Sequence, residues 1–257
     1  MAPYSLTLSN TSAFYGERQI LDNVDFTLNC GEFVCLIGKN GAGKTSLMKI
    51  LANVPDESLR IEKNGSVVKT TVRDYKENAR LVSFLPQNGF SAWNYTVSDF
   101  VLQGRFCHTN STGMYVKTDK DKTEEILKKL NIANLRNAHV HELSGGEFQK
   151  VRIARSLVQE SRFLLLDEPL ASLDFSYEDE FITLLKNIAV DENRGILISI
   201  HNINTASRFC DKLAVLTEDR KLLCGTAAEI MTADILEKIY GKKVNTFTHP
   251  DGSIQVY

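Results

Sequence analysis

The segment from Phe33 to Asn53 combines an apolar run, a glycine-rich loop and a helical pattern, and this unit restricts the possible folds more than any other feature. The run Phe33–Ile37 is short and apolar, as in a strand that is buried on both faces. Gly38–Thr45 reads Gly-Lys-Asn-Gly-Ala-Gly-Lys-Thr and fits the phosphate-loop pattern G-x-x-x-x-G-K-[ST]. Lys44–Asn53 then predicts a helix. The unit therefore predicts an α/β protein with a phosphate-binding loop.

Further apolar runs alternate with helical patterns along the chain. Leu81–Leu85, Arg162–Leu166 and Gly195–Ile200 are short and apolar, which predicts buried strands. Tyr177–Val190 predicts a helix between the last two of them. This alternation indicates a parallel sheet with helical crossovers.

Two other parts of the chain predict antiparallel pairs. Leu6–Tyr15 and Gln19–Asn29 alternate apolar and polar residues on either side of Gly16-Glu17, as two strands joined by a turn do. Lys212–Leu216 and Lys221–Cys224 predict a closing hairpin. From Thr232 onward the pattern predicts a short helix followed by weak strand signals.

Between Pro86 and about residue 160 the pattern is helical and more polar. Val97–Gln103 and Lys122–Leu130 predict helices, and Gly104–Lys120 between them predicts a flexible loop. We therefore expect one α/β domain over residues 4–240. Its core comprises about residues 4–87 and 159–240, an inserted helical subdomain covers about 88–158, and 241–257 form a short C-terminal extension.

The glycine-rich loop carries a specific chemistry. Its glycines allow successive backbone N–H groups to converge on a β-phosphate, Lys44 can reach the β- and γ-phosphates, and Thr45 can place its hydroxyl on Mg²⁺. The remaining candidate ligands of the phosphates are Gly38, Lys39, Asn40, Gly41, Ala42, Gly43 and Ser46.

A pair of carboxylates follows a buried strand. The run Phe163–Leu166 leads directly into Asp167 and Glu168, so the strand delivers them to the edge of the sheet where open α/β sheets bind ligands. Asp167 is positioned to hold Mg²⁺, and Glu168 to polarise the water that attacks a γ-phosphate. Two surface acids after a core strand are the alternative.

A second candidate phosphate site lies in Leu143-Ser144-Gly145-Gly146-Glu147. Ser144 is a good helix N-cap, the two glycines allow a ligand to approach the main chain, and an amphipathic run follows. A helix start of this kind presents unpaired N–H groups to an anion. The chain thus contains two devices for binding phosphate.

The phosphate loop, Leu-Ser-Gly-Gly-Glu and Leu-Leu-Leu-Asp-Glu-Pro, in this order, resemble the nucleotide-binding ATPase of the ABC superfamily over nearly the whole chain. The resemblance implies a phosphate-loop NTPase core, ATP and Mg²⁺ as ligands, and ATP hydrolysis. It also implies that Ser144, Gly145 and Gly146 bind the γ-phosphate held by a second copy of the chain, in a head-to-tail homodimer.

The resemblance assigns further residues. Tyr15 is similar to the aromatic residue that stacks on adenine, and Gln87 to the glutamine that contacts Mg²⁺ and senses the γ-phosphate. Asp174 resembles the interface aspartate, and His201 the switch histidine at the γ-phosphate. Phe148 and Asn202 depart from the family pattern, in which Arg and Asp are usual.

Other segments narrow the resemblance to importers of iron-siderophores, haem or vitamin B12. Phe100–Arg105, His201–Ala206 and Thr232–Gly241 are similar to segments of that group. This implies a membrane permease and, indirectly, an extracytoplasmic substrate-binding protein as partners. An exporter subunit, or a non-transport ATPase acting on DNA or ribosomes, are the alternatives.

Composition supports the importer prediction. The net charge of −2 gives no basic excess for nucleic acid, and no apolar run approaches the roughly 20 residues that span a bilayer. We expect a cytoplasmic protein that associates peripherally with the inner face of the membrane through its partner. The five scattered cysteines predict reduced thiols.

Overall fold

The computed structural model describes residues 4–68, 74–87, 94–171, 173, 175–240, 245–248 and 254–256. Its strands are β1 (Ser5–Tyr15), β2 (Arg18–Asn29), β3 (Phe33–Gly38), β4 (Leu59–Lys63), β5 (Ser66–Val68), β6 (Val82–Leu85), β7 (Phe163–Leu166), β8 (Gly195–Ser199), β9 (Lys212–Leu216), β10 (Leu222–Gly225), β11 (Thr246–Thr248) and β12 (Ile254–Val256). Its α-helices are α1 (Lys44–Leu51), α2 (Tyr75–Leu81), α3 (Val97–Leu102), α4 (Lys117–Lys129), α5 (Gly145–Val158), α6 (Phe175–Asp191), α7 (Ile203–Phe209), α8 (Ala227–Ile230) and α9 (Ala233–Tyr240).

A six-stranded sheet forms the centre of the molecule, in the order β10-β9-β3-β8-β7-β6. Strands β9, β3, β8, β7 and β6 are parallel, and β10 pairs antiparallel with β9 as the closing hairpin. The predicted fold class, a mainly parallel sheet with helical crossovers, is confirmed. The carboxyl ends of β3, β6, β7 and β8 meet at one edge, and every predicted catalytic residue follows one of these strands.

The central sheet is buried on both faces, because alternate side chains of each strand enter different cores. In β3, Phe33, Cys35 and Ile37 pack with the helices on one face. Val34 and Leu36 pack on the other face with α1 and the N-terminal sheet. Burying an apolar side chain of this size contributes about 1.5–3 kcal/mol. This two-sided burial explains why these strands appear in the sequence as continuous apolar runs.

The N-terminal sheet has the order β2-β1-β4-β5 and is antiparallel. Tyr15 and Arg18 face each other across a two-residue turn, so the predicted turn at Gly16-Glu17 is confirmed. Gly16 has φ +59°, which glycine adopts without strain. Strands β4 and β5 and helix α2 were not predicted, because their short sequences carry little periodicity.

The predicted flexible loop at Gly104–Lys120 is wrong over much of its length. Gln103–His108 forms a 3-10 helix, and α4 begins at Lys117, five residues before the predicted start. Arg105 is buried and bonds to the carboxylate of Asp119 at 3.0 Å and to Glu160 at 2.8 Å. The segment is ordered by the buried ion pair of Arg105 and Asp119, to which Glu160 adds a partly exposed partner.

Cys35 and Cys210 have Cα atoms 5.9 Å apart, and their Sγ atoms are in contact. Cys30, Cys107 and Cys224 are free. Within the described part of the chain, none of the helices combines the length and apolar character needed to cross a bilayer.

Candidate functional site

The glycine-rich loop connects the end of β3 to the start of α1. Gly43 has φ +106°, and a Cβ atom there would lie 2.7 Å from the Cγ2 atom of Ile20, so only glycine fits. The Lys44 ammonium donates hydrogen bonds to the carbonyl oxygens of Gly38 at 2.9 Å and Lys39 at 3.3 Å. The loop thus encloses the Lys44 side chain, which is only 4% exposed.

Burial lowers the pKa of Lys44, although the carboxylates of Glu168 and Asp167 oppose this by favouring the charged form. The Lys44 ammonium group is desolvated and lies close to carboxylates. Phosphate oxygens can replace these carboxylates as its partners. The geometry of this loop therefore suits a polyphosphate.

Asp167 and Glu168 follow β7 and reach the same edge of the sheet as the glycine-rich loop. Asp167 is 1% exposed, and its Oδ2 atom accepts a hydrogen bond from the Thr45 hydroxyl at 2.5 Å. A carboxylate and a hydroxyl oxygen side by side are the hard ligands that Mg²⁺ prefers. The structure thus brings together two of the three residues predicted to hold the metal, and their chemistry fits it; the third, Gln87, contacts Glu168 instead.

Glu168 lies at the centre of the other predicted catalytic groups. Its Oε2 atom accepts a hydrogen bond from the Gln87 amide at 2.5 Å, and its Oε1 atom is 2.8 Å from the His201 Nε2 atom. Lys44 is 3.8 Å from the same Oε1 atom. Three residues that are far apart in sequence therefore surround one carboxylate that is only 10% exposed.

Ser199 is a contact that the sequence analysis missed. Its hydroxyl donates to the Asp167 Oδ1 atom at 2.7 Å and accepts from the Glu168 backbone N–H at 2.7 Å. The available signal was a single hydroxyl residue at the end of the apolar run Gly195–Ile200. A polar side chain in such a run needs a buried partner, and both partners here are site residues.

A cavity of about 340 Å³ opens beside these groups, lined by Tyr15, Arg18, Ile20, Asn40, Gly41, Gly43, Lys44, Thr45, Ser46, Gln87 and Glu168. Half of the predicted nucleotide contacts therefore line one cavity. Lys39 is an exception in one respect, because its side chain turns outward to form an ion pair with Glu218.

Tyr15 is held at the edge of this cavity. Its hydroxyl donates to the Asp56 Oδ2 atom at 3.2 Å, and Lys49 of α1 bonds to the same oxygen at 2.9 Å. The hydroxyl of Ser58 and the ammonium of Lys49 lower the pKa of Asp56 to about 2. Asp56 is therefore a fixed anion that tethers Tyr15 to α1 near neutral pH.

The second predicted phosphate device does not line this cavity. Ser144 is the N-cap of α5, and its hydroxyl accepts from the Glu147 N–H at 3.3 Å, as a capping box does. Ser144 and Gly145 are exposed, and a Cβ atom on Gly145 would meet nothing within 4 Å. The predicted interface residue Asp174 lies outside the described residues.

Helix α5 is nevertheless tied to the carboxylate site through its second turn. Arg152 donates to the carbonyl oxygen of Gln87 at 3.2 Å and to that of Pro86, and it is 8% exposed. Gln149 donates to the Pro169 carbonyl oxygen at 2.9 Å. The helix capped by Ser144 therefore holds the backbone at Gln87 and at Pro169, the residue after Glu168.

The two departures from the family pattern have clear contacts. The Phe148 ring lies 6.3 Å from the Phe100 ring and packs at the base of α5. Asn202 caps α7, because its side-chain oxygen accepts from the N–H groups of Asn204 and Thr205. An asparagine performs this capping as well as an aspartate, so the replacement leaves the start of α7 intact.

Residues 21–171 match the ABC transporter family. The chain is 30% identical over 246 residues to a manganese transport system ATP-binding protein of Halalkalibacterium halodurans, which covers 95% of both chains. It is 31% identical to an iron(3+)-hydroxamate import ATP-binding protein of Bacillus subtilis, over 96% of this chain and 91% of the relative.

Solved structures give the same result. A structure described as an inward-facing metal-chelate type ABC transporter has a TM-score of 0.79 and 25% identity, covering 99% of this chain and 96% of that one. A dimeric bacterial ABC transporter cassette has a TM-score of 0.72 at 23% identity, covering 87% of this chain and 98% of that one. The second similarity concerns the fold alone.

Proposed function

This chain belongs to the ABC transporter family, and from that membership we propose that it is the ATP-hydrolysing subunit of an importer for a metal chelate of the iron-siderophore, haem or cobalamin type. The relatives named for iron(3+)-hydroxamate and manganese support a metal-related cargo. The cluster of Gln87, His201 and Lys44 around the Glu168 carboxylate carries the proposal, because these groups form a hydrolytic site.

ATP occupies the cavity beside the glycine-rich loop in this proposal. Tyr15 stacks on the adenine. The backbone from Gly38 to Gly43, with Lys44 and Ser46, surrounds the phosphates. Because Lys44 is already desolvated, the negative charge of the β- and γ-phosphates replaces its present carbonyl and carboxylate partners.

Thr45, Asp167 and Gln87 would hold Mg²⁺. When bound, Mg²⁺ neutralises charge on the β- and γ-phosphate oxygens. Asp167 provides a carboxylate that is 1% exposed, and the contact between Thr45 and Asp167 supports placing both at one ion. Gln87 follows β6 at the same edge of the sheet, so its amide oxygen can reach the metal while its amide nitrogen contacts Glu168.

Glu168 orients and polarises the attacking water. Its Oε1 atom is 2.8 Å from His201, so the histidine fixes the carboxylate and contacts the γ-phosphate from the end of β8. Phosphoryl transfer depends mainly on position and on stabilisation of negative charge, and these residues supply both.

A second copy of the chain completes each site. Ser144, Gly145 and Gly146 bind the γ-phosphate held by the partner, and Asp174 crosses the interface. Two observations support this: Ser144 and Gly145 are exposed, and they do not line the chain's own cavity. ATP binding closes this homodimer, and the release of ADP and phosphate reopens it.

The permease binds to the face formed by α2 and the helical region. Tyr75 and Phe106 are 71% and 54% exposed there, beside a cavity of about 420 Å³. This apolar face suits a membrane partner's cytoplasmic helix. The chain then lies on the inner face of the membrane, and an extracytoplasmic binding protein delivers the cargo.

The proposed division of the chain follows the same scheme. The core comprises about residues 4–87 and 159–240, the helical subdomain about 88–158, and the C-terminal extension 241–257.

Replacement of the catalytic carboxylate tests the proposal. Glu168→Gln should lower kcat about a hundredfold or more, because losing one group that stabilises the transition state costs on the order of 10²–10³ in rate. ATP should still bind and still dimerise the protein. Mg²⁺-dependent phosphate release and the sedimentation coefficient provide the two readouts. Hydrolysis at the wild-type rate by this variant would remove the role given to Glu168.

A further inference from the structure

Ser199 contacts both acids of the site with one hydroxyl group. It is the last residue of β8 and is 1% exposed. The hydroxyl donates to Asp167 and accepts from the Glu168 N–H, each at 2.7 Å. Both are short, well-formed hydrogen bonds, and the one to the carboxylate is charge-assisted.

The bond to Glu168 fixes an unusual backbone conformation. Glu168 has φ +49°, in the left-handed region, which is uncommon and strained for residues other than glycine. The N–H group of this residue points at Ser199 because the chain turns sharply after β7. The same turn directs the Glu168 carboxylate toward Gln87 and His201. The hydroxyl of Ser199 therefore helps to hold the carboxylate where water must bind.

The bond to Asp167 fixes the rotation of its carboxylate. Oδ1 is bonded to Ser199, and Oδ2 is bonded to Thr45 at 2.5 Å. A buried carboxylate oxygen without a donor is costly, so loss of the hydroxyl would favour rotation of the group toward other donors. Rotation would take Oδ2 away from the position beside Thr45.

We propose that Ser199 is a positioning residue for ATP hydrolysis, which sets the orientation of the metal-binding carboxylate of Asp167 and the backbone of Glu168 at the same time. The inference rests on the proposed function, because it assigns Ser199 a role through the residues placed there. Ser199 acts through the two acids and needs no contact with the nucleotide.

Another buried serine offers a matched control. Ser161 precedes the same strand, β7, is fully buried, and donates its hydroxyl to the Phe163 carbonyl oxygen at 2.7 Å. It lies at the opposite end of the strand from the acids. Ser161→Ala and Ser199→Ala therefore remove the same atom from equally buried places, and only one of those places is at the site.

The experiment uses the full chain and four variants: Ser199→Ala, Ser199→Thr, Ser199→Cys and Ser161→Ala. We expect Ser199→Ala to lower kcat about thirtyfold, since a lost hydrogen bond at a reacting group of this kind corresponds to one to two factors of ten. Ser199→Thr keeps the hydroxyl and should recover most of the rate. Ser161→Ala should keep the wild-type kcat.

A second readout does not depend on activity. In a Glu168→Gln background, ATP affinity is measured with Mg²⁺ and with EDTA. The ratio of the two affinities reports how well the site holds the metal. We expect Ser199→Ala to reduce that ratio about fivefold while the affinity in EDTA stays unchanged, because Asp167 is the one of its two partners that is placed at the metal. Ser161→Ala should leave the ratio unchanged.

Three results would overturn the inference. The first is a wild-type kcat and a wild-type metal ratio for Ser199→Ala. The second is equal losses for Ser161→Ala, which would indicate general destabilisation. The third applies if Ser199→Ala does not fold. Ser199→Cys keeps the side-chain volume but has only a weak hydrogen-bond donor, so a wild-type kcat for Ser199→Cys would overturn the inference.

The Glu168→Gln variant separates this inference from the proposed function. If Glu168→Gln itself hydrolyses ATP normally, the proposed function fails; if it is inactive while Ser199→Ala is normal, only this inference fails.

Discussion

The glycine-rich loop and the start of α5 are both predicted to bind phosphate, yet their surroundings in the chain are opposite. The lysine of the loop is buried: Lys44 is 4% exposed, and Gly43 beside it packs against Ile20. The start of α5 is exposed, and the Ser144 hydroxyl bonds within its own turn to Glu147. The glycine-rich loop encloses Lys44 within its own chain, whereas the start of α5 faces solvent.

This difference indicates what each device needs. The loop already has a cavity beside it, lined by Tyr15 and Glu168 among others, so ATP binding requires a single chain. The start of α5 is a capped helix end, and its residues do not line that cavity. A phosphate brought by a second copy supplies what is missing. We propose that the loop serves ATP binding and that the start of α5 serves dimer closure.

Arg152 connects α5 to Gln87, which lines the cavity beside the glycine-rich loop. Its replacement should lower activity more than replacement of Tyr15. Arg152→Met removes the hydrogen bonds to Pro86 and Gln87 while it retains most of the side-chain volume. We expect kcat to fall about tenfold, because the Gln87 loop loses its tie to α5 and one to two kcal/mol of positioning. ATP affinity should stay within twofold, as measured by titration.

Arg152→Lys provides the control for this prediction. Lysine keeps the positive charge and can reach one of the two carbonyl oxygens, so kcat should lie between the wild-type and methionine values. A wild-type kcat for Arg152→Met would mean that the contacts between α5 and the Gln87 loop do not affect hydrolysis, and that the two regions act independently.

Replacement of Tyr15 tests the cavity beside the glycine-rich loop alone. Its effect should be smaller than that of replacing Arg152. Tyr15→Phe keeps the ring that stacks on adenine and removes the hydroxyl that bonds to Asp56. We expect KM for ATP to rise about threefold with kcat unchanged, since an exposed hydrogen bond of this kind contributes less than about 1 kcal/mol. Tyr15→Ala should raise KM further. Steady-state kinetics in ATP measure both, and an unchanged KM for Tyr15→Phe would show that the tether to Asp56 is irrelevant.

The sequence predicted most of the site because each part lies at the end of a patterned element. The runs before Gly38, Asp167 and His201 are apolar because the central sheet is covered on both faces, so their ends were easy to locate. The meeting of Gln87, Glu168 and His201 then follows from parallel strands ending at one edge.

Other parts depended on contacts that sequence spacing does not reveal. The sequence placed Arg105 in a loop because its partners, Asp119 and Glu160, are distant or show no pattern. The ion pairs of Arg105 with these two residues order the segment. Ser199 and Arg152 resemble ordinary strand and helix residues. Their importance comes from which groups they touch, and those groups come from other elements.

The most direct test of two separate phosphate devices is the effect of Ser144→Arg on dimer formation. Sedimentation velocity would compare Glu168→Gln with Glu168→Gln/Ser144→Arg in saturating ATP, with ATP binding measured in parallel. We predict that both variants bind ATP with similar affinity, that the first sediments as a dimer and that the second stays monomeric, because a bulky cation blocks the exposed helix start. A double variant that dimerises as fully as Glu168→Gln would contradict the account.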